Sequence, residues 1–503
     1  MQRKLYAGVA MALGAGLVLT GCSAAEPAKA DLDTISIMVP FLDPQPPEER
    51  NAIHDELEEL TGKKIKLNWV PNADYEEKLN ITLAGGDLPH VMVVQGKSPG
   101  FVKNANAGAF WELSDYLEDY PNLVSEAPAI EKNASVNGEI FGVYRARDAM
   151  RTAVILRKDW LEALNLEAPT NVDELYEVAK AFTEQDPDGN GVADTYGLIV
   201  PKWPGTINTN SPYDVISTWF GSGNGWTEKD GKLAPNFTTD EFIEANKYIK
   251  KFVDEGLING DYATMDSATW NDPFFNGKGG IIIDVHSRAA VLSSLFKQQD
   301  PSTFQNYVEI AGNLESPSGE LNAHPTPGFS GFLSIPKSKV TTEEELRAVL
   351  SFLNDMNSNE AAVLLNNGIE GTDFKVEDGF AVGVDGGTAE PVLGYPQLGT
   401  NVAGVNYYLP KQATEYEQEL FDKRKALEES DFESAVHDPA ASYISETQIA
   451  KGAQLDNIVT DARIQFIAGQ LDEQGLRDAV KLWKSSGGDD VIKEINELHK
   501  SSK

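Results

Sequence analysis

Apolar and polar positions alternate along Thr34-Ile-Ser-Ile-Met-Val-Pro-Phe41, and the run is rich in β-branched residues, so a first strand is predicted there. Pro46-Pro47-Glu48-Glu49 then opens a helix that runs through Leu60 and stops at Gly62, with acid in its first turn. A second strand at Lys64–Val70, a second helix at Asp74–Ala84 and a third strand at His90–Val94 follow. Strand and helix alternating at this spacing argue a parallel α/β sheet. Phe110–Leu117 reads as the start of another helical segment. Two further strands, Asn137–Tyr144 and Thr152–Leu156, flank a turn at Arg145–Met150 and precede helices at Asp159–Leu164 and Asn171–Glu184. Tyr196–Val200 looks like a strand and Phe237–Gly256 a helix. Ile281–Ile283 and Gly328–Lys339 carry strands, and helices are expected at Glu343–Met356, Thr460–Ala468 and Asp472–Lys484.

With 503 residues the chain exceeds one ordinary domain, and two sizeable lobes are the natural division. The N-terminus changes the picture first. Arg3 and Lys4 precede an apolar run to Thr20, the layout of a secretory signal and too short for a spanning helix. It ends in Leu19-Thr20-Gly21-Cys22, which looks like a lipobox cleaved before a cysteine that then carries lipid. Cys22 is the single cysteine, so no disulfide forms within the chain. Acylation of Cys22 anchors a protein to a membrane without spanning it. Small polar residues from Ser23 to Asp33 read as a tether. The formal charge is −36, a balance that repels nucleic acid and anionic lipid but leaves room for a local basic pocket.

One loop carries chemistry of its own. In Asp186-Pro-Asp188-Gly-Asn190-Gly191-Val192-Ala-Asp194-Thr195-Tyr196-Gly197, oxygen side chains recur at alternate positions around a central glycine. That is the spacing of the first nine positions of an EF-hand loop, with Val192 offering its carbonyl. Carboxylates this close repel one another unless a cation sits among them. The twelfth position is Gly197, where an EF-hand keeps a bidentate Glu, so a remaining ligand must be water, Thr195 or a distant residue. A structural Ca²⁺ site is expected, with no sensing role, because Tyr196–Val200 continues as a strand.

The run GEIFGV…LRKDWLEALNL…VDELYEVAKAFTEQDPDGNGVADTYGL resembles the family 1 extracellular solute-binding proteins of sugar ABC importers, especially the large lipoprotein branch that includes the alginate-oligosaccharide-binding proteins. Phe274-Phe275-Asn-Gly277-Lys278, Gly328–Lys339 and the Gly368-Ile-Glu370-Gly371 turn resemble other family segments. The resemblance implies a two-lobed α/β fold, each lobe a mainly parallel sheet flanked by helices, with hinge crossings near Tyr144–Met150, near Pro327–Ser330 and past Gly371. The divisions expected are a signal at 1–21, a lipidated tether at 22–33, a first lobe at 34–145 and 328–372, and a second at 146–327 and 373–503. It also implies a monomer at the outer face of the cell membrane that passes an oligosaccharide to permease subunits.

Ligands of open α/β sheets bind beyond the carboxyl ends of strands. That rule nominates Asp43 and Gln95, Tyr144 and Arg145 at the first crossing, and Asp284, His286 and Arg288 after Ile281–Ile283. Sugars want flat aromatics and bidentate polar groups. Among Trp203, Trp219, Trp226 and Trp270, the strongest candidates are Trp270, just before the Phe274 segment, and Trp203, at a strand end. Arg145, Arg147 and Arg151, with Arg288 as a candidate fourth, form a basic cluster that either pairs with surplus surface carboxylates or, if it faces the cleft, suits an anionic sugar such as a uronic acid. Neutral and anionic ligands both stay open. Glu370 is carried by the resemblance alone. No HExxH, GxSxG, P-loop or Rossmann glycine motif occurs, so an enzyme is not expected. A surface glycoside hydrolase and a lipoprotein presenting sugar to a membrane sensor are the alternatives.

Overall fold

The computed structural model describes residues 32–42, 45–48, 51–203, 210–387, 389 and 392–502. Its strands in chain order are β1 Thr34–Phe41, β2 Lys64–Pro71, β3 Val91–Val94, β4 Val143–Ala146, β5 Thr152–Arg157 and β6 Tyr196–Leu198. They continue with β7 Trp226–Lys229, β8 Lys232–Pro235, β9 Gly279–Val285, β10 Val308–Ala311, β11 Phe329–Ser334, β12 Phe374–Glu377 and β13 Phe380–Gly383. One sheet has the order β2-β1-β3-β11-β4 and a second the order β10-β5-β9-β6, while β7-β8 and β12-β13 are hairpins. The two-lobed α/β expectation holds.

In each sheet most strands run one way, as expected, and one runs against the rest, β11 in the first and β5 in the second. β1 is parallel to β2 and β3, but β11 is antiparallel to both β3 and β4. In the second sheet only β6 and β9 are parallel neighbours. The cause is the connectivity. The chain passes straight from β4 in one sheet to β5 in the other and returns later as β11, so no crossover helix fixes a parallel partner.

Each sheet is covered on both faces. In the second, Ala153 and Ile155 enter one core cluster while Val154 and Leu156 enter another, the period-two split of a strand buried on both sides. Helix Ala52–Thr61 starts where the Asn51 side chain accepts the His54 N–H, and it ends at Gly62 in the left-handed region. Phe110–Leu117 is not the expected helix: Phe110 bridges to Pro336, and only a 3₁₀ turn follows at Leu117–Asp119.

The C-terminal part differs from the expected partition. Tyr395, Leu398 and Val402 lie in the core of the first lobe, so that lobe extends past 372. Helix Glu415–Phe432 then packs on β10, where the Tyr416 hydroxyl donates to the Val308 carbonyl at 2.6 Å. Helix Glu446–Ile467, 22 residues long, contains the segment expected from Thr460. Among the described residues no helix is long and apolar enough to cross a membrane.

Candidate functional site

Because β11 is antiparallel to both β3 and β4, β4 runs parallel to β1–β3, and its end at Ala146 lies beside theirs. The crossing 147–151 leads from there to Thr152, which pairs with Val285 at the end of β9, and β6 runs parallel to β9. The carboxyl ends of six strands, β1–β4 from one lobe and β6 and β9 from the other, therefore face one crossing. A second crossing joins it: Arg147 N–H donates to the Gly328 carbonyl at 2.9 Å, and Thr326 N–H to that of Ala149 at 2.8 Å. This is the place where α/β sheets bind ligands.

Strand ends of the first lobe bring exposed amides here. Gln95 Nε2 donates to Asn72 Oδ1 at 2.5 Å. Half-buried Trp203 follows β6. Asp43 lies outside the described residues. Alongside the crossings is a cavity of about 120 Å³ lined by Lys97, Asn133, Asn224, Pro325, Phe329, His437 and Asp438, among others. Lys97 Nζ donates to the carbonyls of Asn133 at 2.6 Å and Ser135 at 3.1 Å, and to that of Ala441. Burial pushes the Lys97 ammonium down to about 8 and the Asp438 carboxyl up to about 7. Sequence reading missed this pair.

Several nominated ligand residues prove to be structural. Trp270 is 1% exposed, its indole N–H donates to the Ile199 carbonyl at 3.0 Å, and the Arg288 guanidinium covers its ring at 4.2 Å. No face is left for a sugar. Arg288 itself is held by Asp284, through Nε, and by Asn271 Oδ1 at 2.7 Å. Asp284 is buried against that half-buried partner. Tyr144 is buried, with its hydroxyl 2.6 Å from Ser125 Oγ. Arg145 is 1% exposed: Nη1 donates to the Ser330 carbonyl at 3.0 Å, Nη2 to Gln397 Oε1, and Nε has no partner. Burial, helped by the charge of Arg147, pushes its guanidinium down to about 9. His286 is buried against Glu428. Glu370 is exposed on the turn after helix Asn359–Asn367 and is not among the strand-end residues. Alternation explains Tyr144, Arg145 and Asp284, which lie within β4 and β9 and so point at sheet faces. Trp270, His286 and Arg288 lie outside the strands and are taken up by the packing partners just given.

Arg147 and Arg151 remain at the crossing, both half-buried. Arg147 Nη1 donates to the Ala146 carbonyl at 2.8 Å, Arg151 Nη2 to Ser287 Oγ at 3.4 Å, and neither forms a salt bridge among the described residues.

The loop from Asp186 follows helix Val172–Glu184. Asp186 sits at φ +47°, and its Oδ2 accepts the Gly191 N–H at 2.9 Å. Its Oδ1 is buried without a partner. Asn190 Nδ2 lies between two carboxylates, 2.7 Å from Asp188 and 3.3 Å from Asp194. Lys278 pairs with Asp194, and the two donors hold that carboxyl below its ordinary range. Thr195 is corrected as an ion ligand: it is buried, and its hydroxyl donates to the Phe182 carbonyl at 2.8 Å. The missing Glu at position twelve also has a cause. A Cβ on Gly197 would stand 2.5 Å from Ala179 Cβ, so β6 packs on the preceding helix where an EF-hand would turn a side chain inward.

The model of the family described as "Bacterial extracellular solute-binding protein" matches residues 44–362. The chain belongs to that family. It is 46% identical to lipoprotein LipO of Bacillus subtilis over 97% of both chains. It is 32% identical to the polygalacturonan/rhamnogalacturonan-binding protein YtcQ of the same organism, over 98% of both. In fold it is similar to an EF-hand mutant of the Streptococcus pneumoniae ABC-transporter substrate-binding protein FusA in complex with fructo-nystose. That likeness has a TM-score of 0.63 and 19% identity, covering 93% of this chain and 99% of the other.

Proposed function

We propose that this protein is the lipid-anchored substrate-binding component of an ABC importer, which captures an oligosaccharide between its lobes and delivers it to the permease. The observation that carries this reading is the convergence of strand ends from two lobes on one double crossing. Crossings of this kind allow hinge closure around a ligand. Exposed Asn72 and Gln95 on one side and Trp203 on the other offer amides and a flat ring of the types sugars take. Arg147 and Arg151, without salt bridges among the described residues, suit a carboxylated sugar, and the 32% relative, a polygalacturonan/rhamnogalacturonan-binding protein, points the same way. The protein does no chemistry. Cys22, outside the described residues, carries the lipid, in keeping with the name of the 46% relative.

The Asp186 loop holds a structural Ca²⁺ through Asp186, Asp188, Asn190, the Val192 carbonyl and Asp194. The unpartnered, buried Asp186 Oδ1 supports this, as does an all-oxygen donor set suited to a hard cation. A structural neighbour is described as an EF-hand mutant, which is consistent with such a loop in the family. Bound ion neutralises the loop carboxylates and fixes the start of β6. The ligand is met elsewhere.

The test is a calorimetric and thermal-shift panel of neutral and uronic oligosaccharides on the chain from Ser23 onward, in calcium. A uronic ligand should raise the melting temperature, and Arg147→Ala should weaken it about tenfold while sparing neutral sugars. Stabilisation by no sugar at all would sink the oligosaccharide reading, and shortened products on chromatography would sink the non-enzymatic one. Export of Cys22→Ser into the medium, with the parent retained on membranes, tests the anchor.

A further inference from the structure

The exclusion of His286 from the ligand set leaves a buried imidazole to explain. It is 8% exposed, and neither ring nitrogen has a hydrogen-bond partner. Nε2 nevertheless lies 2.7 Å from Glu428 Oε1, an oxygen that likewise has none. The two atoms are close but not aligned for a proton between them. Asp148 completes a trio, with one ligand atom from each residue inside a mutual spacing of 4.8 Å. Among the described residues no other set of His, Asp and Glu converges in this way.

Three separate elements build the trio. Asp148 sits on the first crossing and is exposed. His286 follows β9, where its N–H donates to the Arg151 carbonyl at 2.7 Å. Glu428 stands on helix Glu415–Phe432, its Oε2 held by Lys425 Nζ at 2.5 Å, which leaves Oε1 turned to the imidazole. We infer that Asp148, His286 and Glu428 form a binding site for a divalent transition-metal ion, with Zn²⁺ the natural probe. An imidazole with two carboxylates selects zinc-like ions over calcium or magnesium. Ligands about 2.0–2.2 Å from a tetrahedral ion stand roughly 3.3 Å apart, which the 2.7 Å pair and the 4.8 Å limit bracket.

Two cations compete for the same oxygens. Lys425 Nζ is also 3.9 Å from Asp148 Oδ2, and Arg424 Nε is 3.4 Å from Glu428 Oε1. The Lys425 side chain, 37% exposed, can swing to water, so an ion replaces its ammonium rather than adding to it. Charge competition keeps the affinity modest and makes it adjustable. An ion here ties the crossing to β9 and to the helix that follows the first lobe's last core residues.

The experiment is a Zn²⁺ titration by calorimetry on the chain from Ser23 onward, which contains every described residue, after chelation and with calcium present. The parent should bind one equivalent. His286→Ala and the exposed-site variant Asp148→Asn should each weaken it about tenfold or more, and Lys425→Gln should tighten it several-fold. Asp186→Ala should leave it unchanged. Cobalt(II) in place of zinc should give a visible spectrum that His286→Ala abolishes. Absence of binding to the parent, equal affinity in the parent and Asp148→Asn, or loss in Asp186→Ala alone would each overturn the assignment.

Discussion

Replacing Asp186 with alanine removes a carboxylate whose two oxygens do different things. Oδ2 accepts the Gly191 N–H, and losing that bond costs about 1 kcal/mol with or without calcium. Alanine at φ +47° adds a similar calcium-independent penalty, since aspartate tolerates the left-handed region better. Oδ1 is buried and unpartnered, so its contribution appears only when an ion is bound. For a calcium site of extracellular strength, with Kd about 10⁻⁴ to 10⁻³ M, ~10 mM calcium stands at ~10–100 times Kd. Linkage then gives about 1.4–2.7 kcal/mol. At ~2–4 °C per kcal/mol for a unit of the second lobe's size, the parent's midpoint should rise by about 3–10 °C on adding calcium. Differential scanning calorimetry of parent and Asp186→Ala, each in chelator and in calcium, isolates the ion-dependent part because the constant losses cancel. The parent should move and the variant should not. An equal calcium increment in both proteins would refute the placement of the ion on this carboxylate.

Trp270→Ala separates core from ligand surface: loss of a fully buried indole and its bond to Ile199 should cost about 3–5 kcal/mol in urea unfolding, with sugar affinity per folded molecule unchanged. A folded variant of normal stability that binds sugar weakly would restore the stacking role. Asp438 titrates at about 7 in the folded chain against 3.8 unfolded, so the native state holds the extra proton between those values and this group's contribution to stability falls as pH rises from about 4 to 7. Asp438→Asn keeps the Oδ1 acceptor for Ala440 and should flatten that part of the pH–stability curve; parallel curves for variant and parent would contradict it.

Much of the fold was legible because its strands advertise themselves. Ile281–Ile283 and Val154–Leu156 are buried on both faces, so their sequences are continuous apolar runs bounded by turns. Helix Glu415–Phe432 was not legible. Among its residues only Asp431 is buried, so it carries no apolar stripe for a periodicity argument to find. Strand direction was out of reach for a related reason: whether β11 lies parallel or antiparallel to β3 depends on where the chain has been, not on the Phe329–Ser334 sequence. At the site, the strand-end rule found Gln95 but not Lys97, whose cage includes the carbonyl of Ala441, 344 positions later. Trp270 shows the opposite failure. A tryptophan before a family segment looks exposed to function, yet only packing reveals Ile199 and Arg288 around it.

Charge at the crossing leads to a prediction whose sign is not obvious. The whole chain carries −36, so an acidic oligosaccharide approaches against repulsion. At the crossing, however, Arg145, Arg147 and Arg151 stand close enough that Arg145 is lowered by Arg147, and Arg147 in turn by Arg151, in each case after burial. Salt acts unequally on the two. Raising ionic strength from ~0.01 M to ~1 M shortens the screening length from roughly 30 Å to 3 Å, which removes the long-range repulsion from exposed carboxylates. Contacts between a bound carboxylate and half-buried arginines are short and partly shielded from solvent, so they weaken much less. Association of a uronic oligosaccharide should therefore quicken with salt while dissociation changes little, the reverse of binding to a basic surface. Neutral oligosaccharides should show neither trend. Stopped-flow fluorescence with both ligand types reads these rates directly, and an association rate for the acidic sugar that falls with salt would mean the ligand is steered by exposed cations instead of being received by the half-buried arginines of the crossing.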